Sequence, residues 1–183
     1  MKIILASASP RRKRLLKRVV RNFRVVPAHI SERLLPKEGF CNAAKRLAEK
    51  KAKKIAKKEG GAIVIGADTI AYRGKGIYRK TGDKKIARKI LWELQGKTHF
   101  VVTGVALLYP DGKCLKYCVR AAVKMKKFSK KELASYLQGE EWKGRAGCYD
   151  YSGKGKRLIL KVKGEKETVV GLPIKRLRKI LRG

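Results

Sequence analysis

Apolar positions follow several distinct rhythms along this chain. Ile3 to Ala6 form a short unbroken run, and Leu15, Leu16, Val19 and Val20 then recur at helical spacing. Between them, Ser9 can cap a helix and Pro10 suits its first position, where a missing N–H costs nothing. The opening therefore predicts strand, turn and helix, the helix reaching about Val20. NFRVVP at 22–27 predicts a short strand. Over 41–59, Ala44, Leu47, Ala48, Ala52, Ile55 and Ala56 make one apolar stripe, and Gly60 ends that helix. AIVIGADTIAY at 62–72 predicts a buried strand interrupted by Gly66. A third helix is expected over 83–95, with Ile86, Ile90, Leu91 and Leu94 on one face.

Two further runs, 98–109 and 113–125, flank Pro110-Asp111-Gly112, which predicts a hairpin. Ser129 with Glu132 forms a capping box for a helix to about Leu137. RLILKV (157–162) and ETVVGL (167–172) read as strands, and Pro173 opens a last helix with Ile174, Leu177, Ile180 and Leu181 apolar. Helices and strands interleave, with hairpins beside crossovers. That pattern predicts an α/β fold with a mixed sheet, a single domain over residues 1–183.

Composition changes the picture in one respect. The 183 residues carry 49 Lys and Arg against 14 Asp and Glu, a net charge of +35. Such a surface attracts polyanions, so non-specific RNA binding is expected, although most lysines simply solvate helix faces. Apolar residues make up 44%, enough for a packed core. Cys41, Cys114, Cys118 and Cys148 form no CxxC pair, and with only His29 and His99 a zinc site of ordinary spacing is not expected. Free thiols in a reducing cytosol are the simplest account. No apolar run is long enough to span a bilayer. The first 20 residues, rich in Arg and Ser with no acid before Glu32, share the composition of a transit peptide. The strand-turn-helix reading is preferred.

Two places invite chemistry. Ser7-Ala8-Ser9-Pro10-Arg11-Arg12 puts hydroxyls and guanidiniums at a helix N-terminus, which suits a phosphate; a capped helix whose arginines face water fits equally. Asp68 breaks an apolar strand. It could bind a metal, accept a proton from water or cap a turn. No GxxxxGK[ST] or GxGxxG loop is present. His29 and His99 lack a nucleophile-and-acid context and read as structural. Trp92 reads as helix packing; Trp142 is a weaker core candidate that could flank a ligand.

LASASPRR (5–12), RLAEKKA (46–52), VIGADTI (64–70), LQGKTHFVVTGVAL (94–107), EWKGRAGCY (141–149) and VVGLP (169–173) together resemble the Maf family of nucleoside triphosphate pyrophosphatases. SPRR, GADT and AGCY look like its branch acting on dTTP and UTP. The resemblance implies a curved mixed sheet flanked by helices, two lobes with an active-site cleft, and often a homodimer. It implies that the segment of Ser7, Arg11 and Arg12 lines the triphosphate site and that Lys51 and Lys80 contact phosphate. Asp68 matches the proton acceptor. Arg11, Thr69 and Ser152 match positions linked with base selection. Glu32 matches an acid that, with Asp68, would hold a divalent cation, Mg²⁺ or Mn²⁺. A cytoplasmic enzyme yielding a nucleoside monophosphate and pyrophosphate is expected.

The chain departs from that pattern at Ser152, where the family carries Gln, and at Thr81, where Pro follows the lysine. A serine cannot make the two-point contact to a base that Gln makes, so a weak base preference is expected. A non-enzymatic RNA- or DNA-binding protein, argued from charge, is the rival reading. A regulatory septum or cell-shape protein on the same fold is another.

Overall fold

The computed structural model describes residues 2–182. Among these residues, seven strands and six α-helices follow in the order β1 (Lys2–Leu5), α1 (Pro10–Lys17), β2 (Arg24–Val25), α2 (Phe40–Ala56), β3 (Ala62–Arg73), β4 (Gly76–Tyr78), α3 (Lys84–Leu94), β5 (Thr98–Leu108), β6 (Cys114–Met125), α4 (Lys130–Gln138), β7 (Ile159–Lys163), α5 (Lys166–Val170) and α6 (Ile174–Arg182). Strands pair in the order β2-β1-β3-β5-β6-β7, with β4 added to β3. β1 runs parallel to β2 and β3, whereas β4 on β3 and β7 on β6 are antiparallel. The α/β class and mixed sheet are those the sequence predicts.

The chain divides into two compact units. One comprises residues 1–69, 102–120 and 167–183; the other comprises 70–101 and 121–166. In the first, β3 separates two apolar layers by its two-residue period. Ile63, Ile65 and Ala67 pack with Leu15, Leu16, Leu172 and Leu177 of α1 and the α6 region. Ala62 and Val64 face Ala48, Ala52 and Ile55 of α2. Two glycines let α2 settle directly on its layer. A Cβ on Gly66 would lie 2.0 Å from the Ala48 carbonyl oxygen, and one on Gly104 would lie 2.4 Å from that of Ala44. The break in the predicted strand at Gly66 is thus a close backbone approach, with the strand continuing through it.

Several expectations are corrected. ETVVGL is not a strand: residues 166–170 form α5. The β-branched run suggested a strand, but the backbone N–H groups of Gly171 and Leu172 both donate to the Glu167 carbonyl, at 2.9 and 3.0 Å. Gly171 takes φ +117°, a helix-ending conformation that overrides strand propensity. Residues 157–158 belong to a short 3₁₀ turn (Lys154–Leu158), and β7 starts only at Ile159. α1 stops at Lys17, short of Val20. β4 was not anticipated.

In the second unit the two tryptophans exchange roles. Trp142 is 2% exposed, whereas Trp92 is 42% exposed. The buried stripe of α3 is Ala87, Leu91 and Leu94, so Trp92 turns outward, and so does Ile86. Ala87 takes the place on the buried face that the sequence pattern gives to Ile86. His99 is fully buried, with Nε2 2.8 Å from the Tyr149 hydroxyl. The free-thiol expectation fails for two cysteines. In the first unit Cys41 of α2 and Cys118 of β6 are joined by a disulfide, while Cys114 and Cys148 are free. The sequence places them 77 residues apart, and only the packing of α2 on the sheet brings them together.

Candidate active site

Two groups of polar side chains converge within the first unit. The first centres on Arg12. Ser9 caps α1 by accepting from the Arg12 backbone N–H at 3.4 Å, and Pro10 follows it, as the sequence requires. This start to the helix turns Arg12 inward, where it is only 7% exposed. Its Nε donates to the Gly171 carbonyl at 2.8 Å. One terminal nitrogen donates to Ser7 Oγ at 3.3 Å and the other to Thr69 Oγ1 at 3.0 Å. A Cβ on Gly171 would lie 3.4 Å from Arg12 Nε and 3.3 Å from Thr69 Oγ1, so glycine leaves this group room. Burial draws the Arg12 pKa below its ordinary value, and the carboxylates of Asp68 and Glu32 pull it back upward.

Behind Arg12 runs a directed chain of hydroxyls. Thr103 donates to the Thr168 carbonyl at 2.8 Å, and Thr69 Oγ1 lies 2.9 Å from Thr103 Oγ1. Because the Thr103 proton is committed to Thr168, the Thr69 hydroxyl donates to Thr103 and accepts from Arg12. Thr103 and Thr168 are fully buried. Sequence reasoning did not single them out. A signal exists: Thr103 interrupts the apolar run of β5 and shares the two-residue period of the buried Val105 and Leu107.

The second group centres on Lys51. The close seating of α2 on Gly66 brings Lys51 to the next residue on the same face of β3, Asp68. Lys51 Nζ lies 2.6 Å from Asp68 Oδ1 and 2.6 Å from Glu32 Oε1. Asp68 and Lys51 are almost wholly buried, whereas the Glu32 side chain is 38% exposed. Glu32 lies in an irregular segment tethered to α2. Arg46 grips Glu38 with two bonds of 2.8 and 2.7 Å, and Lys54 bonds the His29 carbonyl. Since successive strand residues point to opposite faces, adjacent Asp68 and Thr69 serve different groups.

The structure therefore brings Ser7, Arg12 and Thr69 together, and separately Glu32, Lys51 and Asp68. Arg11, half-buried on α1, lies next to the first group in the chain. Lys80 and Ser152 belong to the second unit. There Lys80 is exposed just after β4, and the exposed Ser152 turns its hydroxyl back to Asp150 Oδ1 at 2.6 Å. Among the described residues no three or more His, Cys, Asp or Glu side chains cluster as a ready metal site. The available donors are the two carboxylates that meet at Lys51. As hard oxygen donors they are the residues that could hold a divalent ion, and Lys51 Nζ bonds one oxygen of each.

The solved structure of the Staphylococcus aureus Ham1 protein matches the fold with a TM-score of 0.60 at 16% identity, covering 100% of this chain and 99% of that one. An α/β protein of this kind, with a buried arginine and a carboxylate-bracketed lysine, is the class that fold and site define. The chain belongs to the Maf-like protein family, whose model matches residues 2–183. A relative from Aquifex aeolicus named dTTP/UTP pyrophosphatase is 40% identical over 182 residues, covering 100% of this chain and 95% of the relative. One of the same name from Dictyoglomus thermophilum is 40% identical over 181 residues, covering 98% and 94%.

Proposed function

We propose that this protein hydrolyses nucleoside triphosphates, dTTP and UTP foremost, to the monophosphate and pyrophosphate. The observation that carries the reading is the convergence of Glu32, Lys51 and Asp68, from three separated segments, in a chain similar along its whole length to dTTP/UTP pyrophosphatases. A triphosphate needs cations in place before it binds, and positioning with charge stabilisation supplies most of catalysis in phosphoryl chemistry. Arg11, Arg12, Lys51 and Lys80 would provide that charge, with Arg12 held in a fixed orientation by Gly171, Ser7 and Thr69. Asp68 would accept the proton of the attacking water, its carboxylate plane fixed by Lys51.

Glu32 and Asp68 would hold the divalent cation, Mg²⁺ or Mn²⁺. Once bound, such an ion neutralises phosphate charge and acidifies water. Thr69, Arg11 and Ser152 would bear on base choice. Because the Ser152 hydroxyl is turned to Asp150, its contribution to base recognition would be slight, and turnover of other nucleotides is expected beside dTTP and UTP. A homodimer and cytosolic residence complete the proposal. No helix among the described residues is long and apolar enough to cross a membrane. The Cys41–Cys118 disulfide bears on residence, because such bonds are scarce in mesophile cytosol but common inside hyperthermophiles.

The deciding experiment measures pyrophosphate release from dTTP, UTP, CTP, GTP and 7-methyl-GTP, with and without Mg²⁺ or Mn²⁺. Metal-dependent release greatest with dTTP and UTP is expected. No release from any nucleotide would refute the reading.

A further inference from the structure

A groove of about 920 Å³ lies on the second unit between α3 and α4, outside every residue placed in the proposed active site. Its rim carries Lys84, Lys85, Arg88, Lys89 and Lys130, and no carboxylate lines it. Trp92 stands among these cations with 42% of its surface exposed, while Leu133 and Ala134 supply an apolar floor. α3 is anchored through Ala87, Leu91 and Leu94, and Trp92 lies outside that buried stripe with part of its indole open to solvent. Positions 85, 88, 89 and 92 follow helical spacing, which puts the indole at the end of a stripe of positive charge.

We propose that this groove docks single-stranded nucleic acid, a base stacking on Trp92 while the phosphates follow Lys85, Arg88 and Lys89. Exposed aromatic surface beside a cationic track is how proteins hold single strands without reading sequence, since every base offers a π face. A duplex cannot present an unpaired base to the indole. A second copy of the chain is disfavoured by charge: a two-fold contact sets the same patch against itself, cation against cation. This activity stands independently of nucleotide hydrolysis.

The two tryptophans make the test direct. Trp142 is buried, so quenching of exposed-indole fluorescence reports on Trp92. The full-length protein is titrated with short oligo(dA), with a duplex of equal length, with inorganic polyphosphate and with anionic lipid vesicles, each across a salt series. Oligo(dA) is expected to quench Trp92, and the duplex and polyphosphate are not. Trp92→Ala should weaken strand binding about tenfold or more, in keeping with the usual size of base–aromatic stacking. It should leave the salt slope and pyrophosphate release unchanged, and Trp92→Phe should recover most of the loss. Lys85→Ala with Arg88→Ala should flatten the salt slope, whereas Lys57→Ala with Lys58→Ala, on the first unit, should not. Equal binding of strand and duplex, with no effect of Trp92→Ala, would overturn the proposal in favour of diffuse charge. Self-association abolished by Trp92→Ala, or quenching by vesicles and not by oligo(dA), would overturn it in favour of a second copy or a lipid surface.

Discussion

Lys51 Nζ lies 2.6 Å from Asp68 Oδ1, and both side chains are almost wholly buried. The ammonium also meets Glu32 Oε1 at 2.6 Å. It holds two carboxylates that would otherwise repel each other. Removing one partner of such a pair leaves a buried charge uncompensated. Lys51→Met should therefore cost about 3–5 kcal/mol of folding stability as well as activity. Asp68→Asn keeps shape and leaves Lys51 with Glu32, so it should fold while losing about 10²-fold or more in turnover. Urea unfolding beside steady-state kinetics separates the two. A well-folded Asp68→Asn enzyme with normal turnover would take Asp68 out of the reaction.

Arg12 needs a planar fork, because its three partners lie in different directions. Arg12→Lys keeps the charge and cannot reach Gly171, Ser7 and Thr69 at once. Thr103→Val removes the hydroxyl that orders Thr69 and abandons the Thr168 carbonyl. Each change should cost about 1–3 kcal/mol, the usual penalty for buried polar groups left unpaired. Arg12→Lys should in addition lower kcat/KM for every nucleotide alike. Denaturation midpoints and a nucleotide panel check both statements.

The Cys41–Cys118 bond should contribute about 4 kcal/mol by restricting the unfolded chain over a 77-residue separation. Denatured protein should show two titratable thiols without reductant, Cys114 and Cys148, and four with it. Dithiothreitol should lower the stability of the native sequence and leave the Cys41→Ser/Cys118→Ser variant unchanged. Four thiols in protein kept oxidised throughout would mean that the bond does not form.

Burial pushes the His99 imidazole down to about 4. The unfolded chain then binds a proton near pH 6.5 that the folded chain refuses until about pH 4. Its effect on stability is nil above about pH 6.5 and grows as pH falls through that window. The loss should approach about 3 kcal/mol near pH 4. His99→Gln should lack this part of the acid sensitivity. Unfolding free energies at several pH values, wild type minus variant, give the measurement.

Much of the fold was legible because its signals are local. Ser9-Pro10, the stripe of α2, the capping box at Ser129 and the Pro-Asp-Gly turn each state their structure within a few residues. Trp92 was misread because no local rule says that Ala87 carries the buried stripe of α3. The run around Thr168 was misread because its β-branched residues mask the helix end that Gly171 marks locally. Asp68 was visible as an acid in an apolar strand. Its partner Lys51 stood out only through family resemblance, since one lysine among so many has no local mark. The Cys41–Cys118 pair has none either. Its ends meet only after α2 lies on the sheet, a contact permitted by the missing side chains of Gly66 and Gly104.

That bond turns part of a linear polymer into a loop. Lys51, Asp68, Thr69 and Thr103 all fall between residues 41 and 118, whereas Arg12, Glu32 and Gly171 lie on the two free arms. A cut by protease anywhere between residues 41 and 118 would leave an oxidised molecule in one covalent piece. A cut between residues 12 and 41, or between 118 and 171, would release a fragment carrying Arg12 or Gly171. The same nick would thus spare or sever the covalent link between the two sides of the proposed site, depending on which side of a cysteine it falls.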